Sequence, residues 1–270
     1  MSRELVSLAL LACIAASARA QRTQLELRPK VGDTLRMRLD QVTEMSGTRK
    51  GATSKKVVTT LHMFSRAIVE SSSADATLIL AITDSVDVST SDEHARSLTA
   101  EAHRQLEGRQ MRLQLSPDGT VSLPQQTADV PKEVSDLVSV MPASFPREAI
   151  AVGDTWVREM PIPPGARLGL PIGGVVYARF RLDSTTRGGD AAHISMRGTF
   201  HQPAQTDTTK GTLSGSVNGT MTVNRRRGWL SESRFLVQML TIIAGHDATQ
   251  TSPTQVRTKI TQHMRVFDKR

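Results

Sequence analysis

Apolar and polar residues alternate with a period of two over most of this chain, and that pattern leaves few folds open. In Thr77 to Val88, the residues Leu78, Leu80, Ile82, Val86 and Val88 fall on one side. Thr77, Thr83, Ser85 and Asp87 fall on the other, with Ile79 and Ala81 among them. Side chains of a strand point alternately to its two faces, so such a run reads as a half-buried strand. Leu35, Met37 and Leu39 alternate with Arg36 and Arg38, and Met111, Leu113 and Leu115 with Gln110, Arg112 and Gln114. The second half continues in the same way. Val176, Ala178, Phe180 and Leu182 oppose Arg179, Arg181 and Asp183, and Ile194, Met196 and Phe200 oppose His193, Arg197 and His201. Leu213, Val217, Met221 and Val223 oppose Ser214, Ser216, Asn218, Thr220 and Thr222. Val256, Ile260, Met264 and Val266 oppose Arg257, Lys259, His263 and Arg265.

Turn chemistry separates these runs. Ser116-Pro117-Asp118-Gly119 supplies a fixed φ at proline and a left-handed position at glycine, which predicts a hairpin. Arg187 to Asp190 and Asn224 to Gly228 read the same way, and short turns make neighbouring strands antiparallel. Two segments change period. Asp92 to Leu106 and Asp129 to Met141 each open on a capping Asp and place apolar residues three and four apart. They predict two short amphipathic helices, the first stopped at Gly108 and the second at Pro142. The expected fold is mainly β: a curved antiparallel sheet or partly open barrel of about eleven strands with those two helices.

The amino terminus predicts export. Arg3 precedes an apolar stretch from Leu5 to Ala16, and Ala18-Arg19-Ala20 matches a small-x-small cleavage signal before Gln21. Leu10-Leu11-Ala12-Cys13 offers the alternative of lipid attachment at Cys13. No apolar run reaches the length of a transmembrane helix. The expected division is a signal over 1–20, a first β-rich half with the helices over 21–146 and a second over 147–270, or one continuous domain. Val31-Gly32-Asp33-Thr34 recurs as Val152-Gly153-Asp154-Thr155, each before a strand, which raises a duplicated half-domain.

Composition then removes whole classes of chemistry. The sole cysteine is Cys13, so the mature chain has no disulfide, thiolate nucleophile or zinc–thiolate site. Six Phe, two Trp and one Tyr provide little surface for stacking bases, and nucleic acid is not an expected partner. The seven histidines form no H-x-x-x-H pair. His193 and His201 share a face but lie about 26 Å apart at strand rise. No nucleophile elbow, phosphate loop or dinucleotide fingerprint occurs. No metal or cofactor is expected. An outer-membrane barrel would also show export and alternation. The few aromatics, the end Phe267-Asp268-Lys269-Arg270 and the interrupting helices argue against it.

Two candidate sites remain. The apolar face is aliphatic and rich in methionine, a side chain that adapts to irregular shapes such as acyl chains. Leu78, Leu80, Ile82, Met111, Leu113, Phe180 and Met196 are the expected lining of a groove for a lipid or other hydrophobic small molecule. Arg225, Arg226 and Arg227 form the densest basic cluster of a chain with net charge +8, and at a hairpin tip they are candidate anion ligands.

At Ser144 to Trp156 and Gly211 to Phe235 the chain resembles a family of exported bacterial β-rich proteins. Its marks are a signal peptide and a G-D-T-W start to the second half, here Gly153-Asp154-Thr155-Trp156. A Gly/Ser/Thr-rich strand, a turn and a strand then follow. The Arg triplet stands where an acidic turn is more usual. The resemblance implies export and a β-rich fold and carries no activity with it. By looser analogy the architecture is similar to periplasmic lipoprotein-carrier half-barrels with helices against the concave face. The resulting expectation is a non-enzymatic protein of the periplasm or outer envelope that binds a hydrophobic ligand. The alternative is a structural scaffold with a closed core that binds an envelope protein.

Overall fold

The alternating segments pair into one eleven-stranded antiparallel sheet. The computed structural model describes residues 22–48, 55–124, 144–162, 174–202, 211–243 and 254–267. The expected signal and the expected helix Asp129 to Met141 lie outside the described residues. In chain order the strands are β1 (Thr34–Thr48), β2 (Lys55–Ser72), β3 (Thr77–Thr90), β4 (Gln110–Leu115), β5 (Val121–Ser122) and β6 (Thr155–Ile162). They continue as β7 (Gly174–Thr185), β8 (Ala191–His201), β9 (Gly211–Asn224), β10 (Trp229–Ile243) and β11 (Thr254–Phe267). Their order across the sheet is β5-β4-β3-β2-β1-β11-β10-β9-β8-β7-β6. The chain walks from β1 to one edge, restarts at the other edge, and walks back until β11 pairs with β1. That is the order of an up-and-down barrel, left open because β5 and β6 do not pair.

The predicted turns form. Gly119 N donates to Ser116 O at 2.9 Å, closing the β4–β5 hairpin. One helix, α1 (Arg96–Leu106), follows a 3-10 turn over Glu93–Ala95. His94 N donates to Asp92 Oδ1 at 3.3 Å, so Asp92 caps the 3-10 turn. Gly108, at φ 72°, ends the excursion. Of the two expected helices, this is the one found among the described residues.

Paired residues share a face of a sheet, and the register carries one face from edge to edge. That inner face holds a large core built from β6 to β11, with Trp156, Phe180, Ile194, Met196, Leu213 and Val217 among its members. A smaller cluster of Leu35, Ala67, Ile79 and Leu115 lies on β1 to β4. The phase of β3 differs from the sequence reading. Ile79 is 3% exposed and Thr77 2%, whereas Leu78, Leu80 and Ile82 alternate to the outer face. The cause is a bulge: Ser65 pairs with Thr83 but Phe64 with Ser85, leaving Asp84 extra. One extra residue flips the face of everything beyond it. Val86 therefore points inward, while the residues in phase with it before the bulge point outward.

The repeated tetrapeptide builds the same turn twice. Gly32 N donates to Val69 O at 3.0 Å and Gly153 N to Leu182 O at 2.7 Å. Val69 N returns a bond to Asp33 O and Leu182 N to Asp154 O. The Asp33 carboxylate accepts from Lys30 N at 3.1 Å, and that of Asp154 from Ala151 N at 2.9 Å. Both glycines have positive φ, 86° and 97°, a conformation glycine adopts without steric penalty. Each turn delivers the next inward residue, Leu35 or Trp156, into a core.

Gly219 lets β9 lie close against the Phe235 side chain of β10. It pairs with Phe235, and a Cβ there would run into the Phe235 ring and lie 2.7 Å from Arg234 O. Gly219→Ala is expected to destabilise the protein by about 1–3 kcal/mol through overpacking, read as a lower urea midpoint with unchanged slope.

Candidate functional site

The two ends of the open barrel differ. Where β1 begins and β11 ends, residues 23–29 run across the inner face. Thr23 forms a two-way bridge with Ile150, Leu27 N donates to Pro117 O at 2.8 Å, and Arg28 N to Gly228 O at 2.8 Å. Leu25 is 1% exposed, and Leu27 packs against both clusters. The unpaired edges are clasped by two residues. Ser144 N and Phe145 N both donate to Asp118 O, at 3.0 and 2.9 Å. Ser144 O accepts from Trp156 Nε1 at 2.7 Å, and Phe145 O from Arg158 Nη2 at 2.6 Å. Asp118 belongs to the turn before β5 and Trp156 to β6, so the clasp spans the seam while the Phe145 ring fills the space below it.

Across the sheet the inner face differs in cover: on β7 to β9 it is buried from end to end, and on β1, β2, β4 and the end of β11 much of it is only half-buried. Met37, Leu39 and Met45 on β1, Leu61 and Met63 on β2, Met111 and Leu113 on β4, and Met264 on β11 form this strip. The register keeps them together: Leu39 lies opposite both Met63 and Met264. Two adjacent polar rungs cross it: Gln41 lies opposite Gln262, and Thr43 opposite Thr59, with Gln41 Nε2 donating to Thr43 Oγ1 at 3.3 Å. Flexible thioethers and leucines with a few amides accommodate an apolar chain with one polar group. Among the described residues no cluster of three metal-ligating side chains occurs.

The seven residues expected to line a groove divide three ways. Met111 and Leu113 lie on the half-buried inner strip. Leu78, Leu80 and Ile82 are on the outer face, for the reason of the bulge. Phe180 and Met196, 2% and 5% exposed, sit in the packed core, where Phe180 stacks on Trp156 at 5.5 Å. The Arg triplet locks two hairpin tips together. Arg225 Nη1 donates to Gly189 O at 2.7 Å and Arg226 pairs with Asp190 at 2.7 Å, while Arg227 N donates to Asn224 Oδ1. Its sequence signature is that of an anion site, and two of its guanidinium groups hold the β7–β8 turn. Sequence reasoning missed Leu25, Ser144, Phe145 and Arg158, which lie in or beside aperiodic segments. It also left Met37, Met45 and Met63 out of the lining.

The outer face is charged along its length. Asp40 meets Arg38 at 2.9 Å and His62 at 2.6 Å. Glu232 meets Arg234 at 2.8 Å and His263 at 2.7 Å. Burial pushes the Asp40 carboxyl up, and hydrogen bonds from His62 and Arg38 more than offset it, so its pKa is lowered. The His263 hydrogen bond, with Arg234 assisting against a smaller effect of burial, lowers that of Glu232. A wall of this kind does not suit lipid, where a midplane Arg or Lys is unfavourable by about 2–4 kcal/mol.

No protein-family model matches the chain, and no curated protein matches it. Among solved structures, its fold is similar to part of one describing lipid–protein interactions in lipovitellin. The TM-score is 0.50 at 9% identity, over 88% of this chain and 25% of that one. The chain thus spans about a quarter of the length of that relative. Slighter likenesses join it to OccK11 (OpdR) of Pseudomonas aeruginosa, with TM-score 0.26, 6% identity and coverage of 92% and 100%. The outer membrane protein OprG of the same organism gives TM-score 0.22, 8% identity and coverage of 90% and 99%. These last two are too slight to argue from.

The clasp and the outer ion pairs each generate a prediction. Trp156→Phe keeps an aromatic ring against Phe180 but leaves Ser144 O without its donor, and is expected to lower stability by about 1–3 kcal/mol in urea unfolding. Because the folded pKa of Glu232 lies below its ordinary 4.5, its contribution is fully present above that value. It is lost as pH falls through the lowered folded value. Glu232→Gln is therefore expected to flatten the acid limb of a stability–pH profile.

Proposed function

We propose that this is an exported, envelope-resident, non-enzymatic protein that binds a hydrophobic ligand, of the class of a lipid acyl chain, on the inner face of its open barrel. The observation that carries the reading is the contrast across that face. It is closely packed over β7 to β9 from end to end and only half-buried over Met37, Met45, Leu61, Met63, Met111 and Leu113 on β1, β2 and β4. Burying a ligand methylene against such a strip is favourable by about 0.8 kcal/mol, so an acyl chain of ordinary length supplies ample affinity without a strong polar contact. Gln41 and Gln262 are suited to hold the ligand's polar end. The lipovitellin likeness supports an open antiparallel sheet as the frame for this role and does not by itself supply the ligand.

The same frame supports one continuous domain over the mature chain rather than two halves, since β11 joins β1 to β10. A signal peptide over residues 1–20, cleaved after Ala20, completes the proposal.

A fluorescent polyene fatty acid titrated into the mature protein tests the binding face. Met111→Lys and Leu113→Lys are expected to weaken binding at least about ten-fold, and Leu80→Lys, on the outer face, to leave it within about two-fold. Equal losses from inner and outer substitutions would contradict the assignment of the face.

A further inference from the structure

The outer face carries a groove of about 560 Å³ across β2, β1, β11, β10 and β9, remote in chemistry from the apolar strip. Its floor is two adjacent rungs of the sheet. In one, Lys259 lies opposite Glu44 and Gln238, and Gln238 opposite Ser216. In the other, Arg257 lies opposite Ser46 and Leu240, Ser46 opposite Lys56, and Leu240 opposite Ser214. Three cationic side chains therefore gather around one carboxylate.

The hydrogen-bonding capacity of this groove is unbalanced. Glu44 spends both oxygens within the protein, Oε2 on Lys56 at 2.6 Å and Oε1 on Lys259 at 3.1 Å. Those bonds lower its pKa, so it stays ionised and holds both ammonium groups over the floor. Each ammonium has three donors and only one is used by Glu44. Arg257 is exposed and makes no hydrogen bond or ion pair among the described residues, leaving a five-donor fork uncommitted. Two serine hydroxyls and the Gln238 amide add neutral donors. The groove offers many donors, an excess of positive charge, and no charged acceptor to spare.

A ligand that accepts several hydrogen bonds and carries more than one negative charge matches this surplus. A carboxylate brings a single charge and would leave part of the positive surplus uncompensated. We propose that this groove binds a phosphate-type oxyanion, with Lys56, Arg257 and Lys259 as cationic ligands and Ser214, Ser216 and Gln238 as neutral donors. Charge-assisted hydrogen bonds of this kind are about twice as strong as neutral ones, and Glu44 acts as a positioning residue. The oxyanion is either free or the headgroup of an anionic phospholipid.

Calorimetric titration of the mature protein with inorganic pyrophosphate at low salt tests the site, alongside flotation with phosphatidic acid and with phosphatidylcholine vesicles. The paired variant Arg257→Gln with Lys259→Gln is expected to weaken pyrophosphate binding at least about ten-fold. The control pair Arg179→Gln with Arg197→Gln removes the same charge from the outer face of β7 and β8 and is expected to leave it unchanged. All four side chains are exposed, and matching thermal midpoints confirm that both variants fold. Flotation with phosphatidic acid alone, lost in the groove variant and without pyrophosphate binding, supports the proposal with a headgroup as the source. Binding of neither probe overturns it, as does an equal loss in the control pair, which would reduce the effect to net charge.

Discussion

An antiparallel sheet that stops one pairing short of a barrel must keep two edge strands from splaying apart, and here Ser144 and Phe145 do so. Four hydrogen bonds converge on their backbone, two from their amides to Asp118 O and two to their carbonyls from Trp156 and Arg158. Each such bond contributes about 0.5–1.5 kcal/mol net. Burying the Phe145 and Leu25 side chains adds about 1.5–3 kcal/mol each. The clasp brings together a turn on one side of the seam and a strand on the other, so the curvature of the whole sheet depends on it. Residues 23–29 act with it, bonding to Pro117 on one side of the seam and to Ile150 and Gly228 on the other.

The asymmetry on which the proposed function rests lies across the sheet. The core is complete on β7 to β9, and the same inner face continues onto β1, β2 and β4 with less cover. The outer face has the opposite character. Arg38, Asp40 and His62, then Glu232, Arg234 and His263, lace neighbouring strands with charge. The sheet thus has one charged face and one methionine-rich face, the arrangement that the proposed binding of an apolar ligand calls for.

Much of this architecture was legible in the sequence. Period-two alternation identified the strands, and the Pro117-Asp118-Gly119 and Gly188-Gly189 turns made them antiparallel. The V-G-D-T echo marked two turns that the structure shows to share their hydrogen bonds. Three things were not legible. The extra residue at Asp84 leaves no compositional trace, so Leu78, Leu80 and Ile82 carried a false phase. The pairing of β1 with β11 joins the two ends of the described chain, and no local pattern encodes a contact of that span. Phe145 stands in an aperiodic stretch, where nothing but its proximity to Trp156 hinted at a seam. The arginine triplet shows a further limit: a guanidinium that grips a backbone carbonyl and one that awaits an anion have the same sequence signature.

The central claim is that the inner face holds an apolar ligand. Native mass spectrometry of the mature protein, purified from its own envelope without detergent, tests it most directly. The account predicts a mass above that of the polypeptide beginning at Gln21, with the excess removed by organic extraction and identified as a lipid or similar apolar molecule. A bare polypeptide mass, unchanged after incubation with fatty acid or phospholipid, would contradict it.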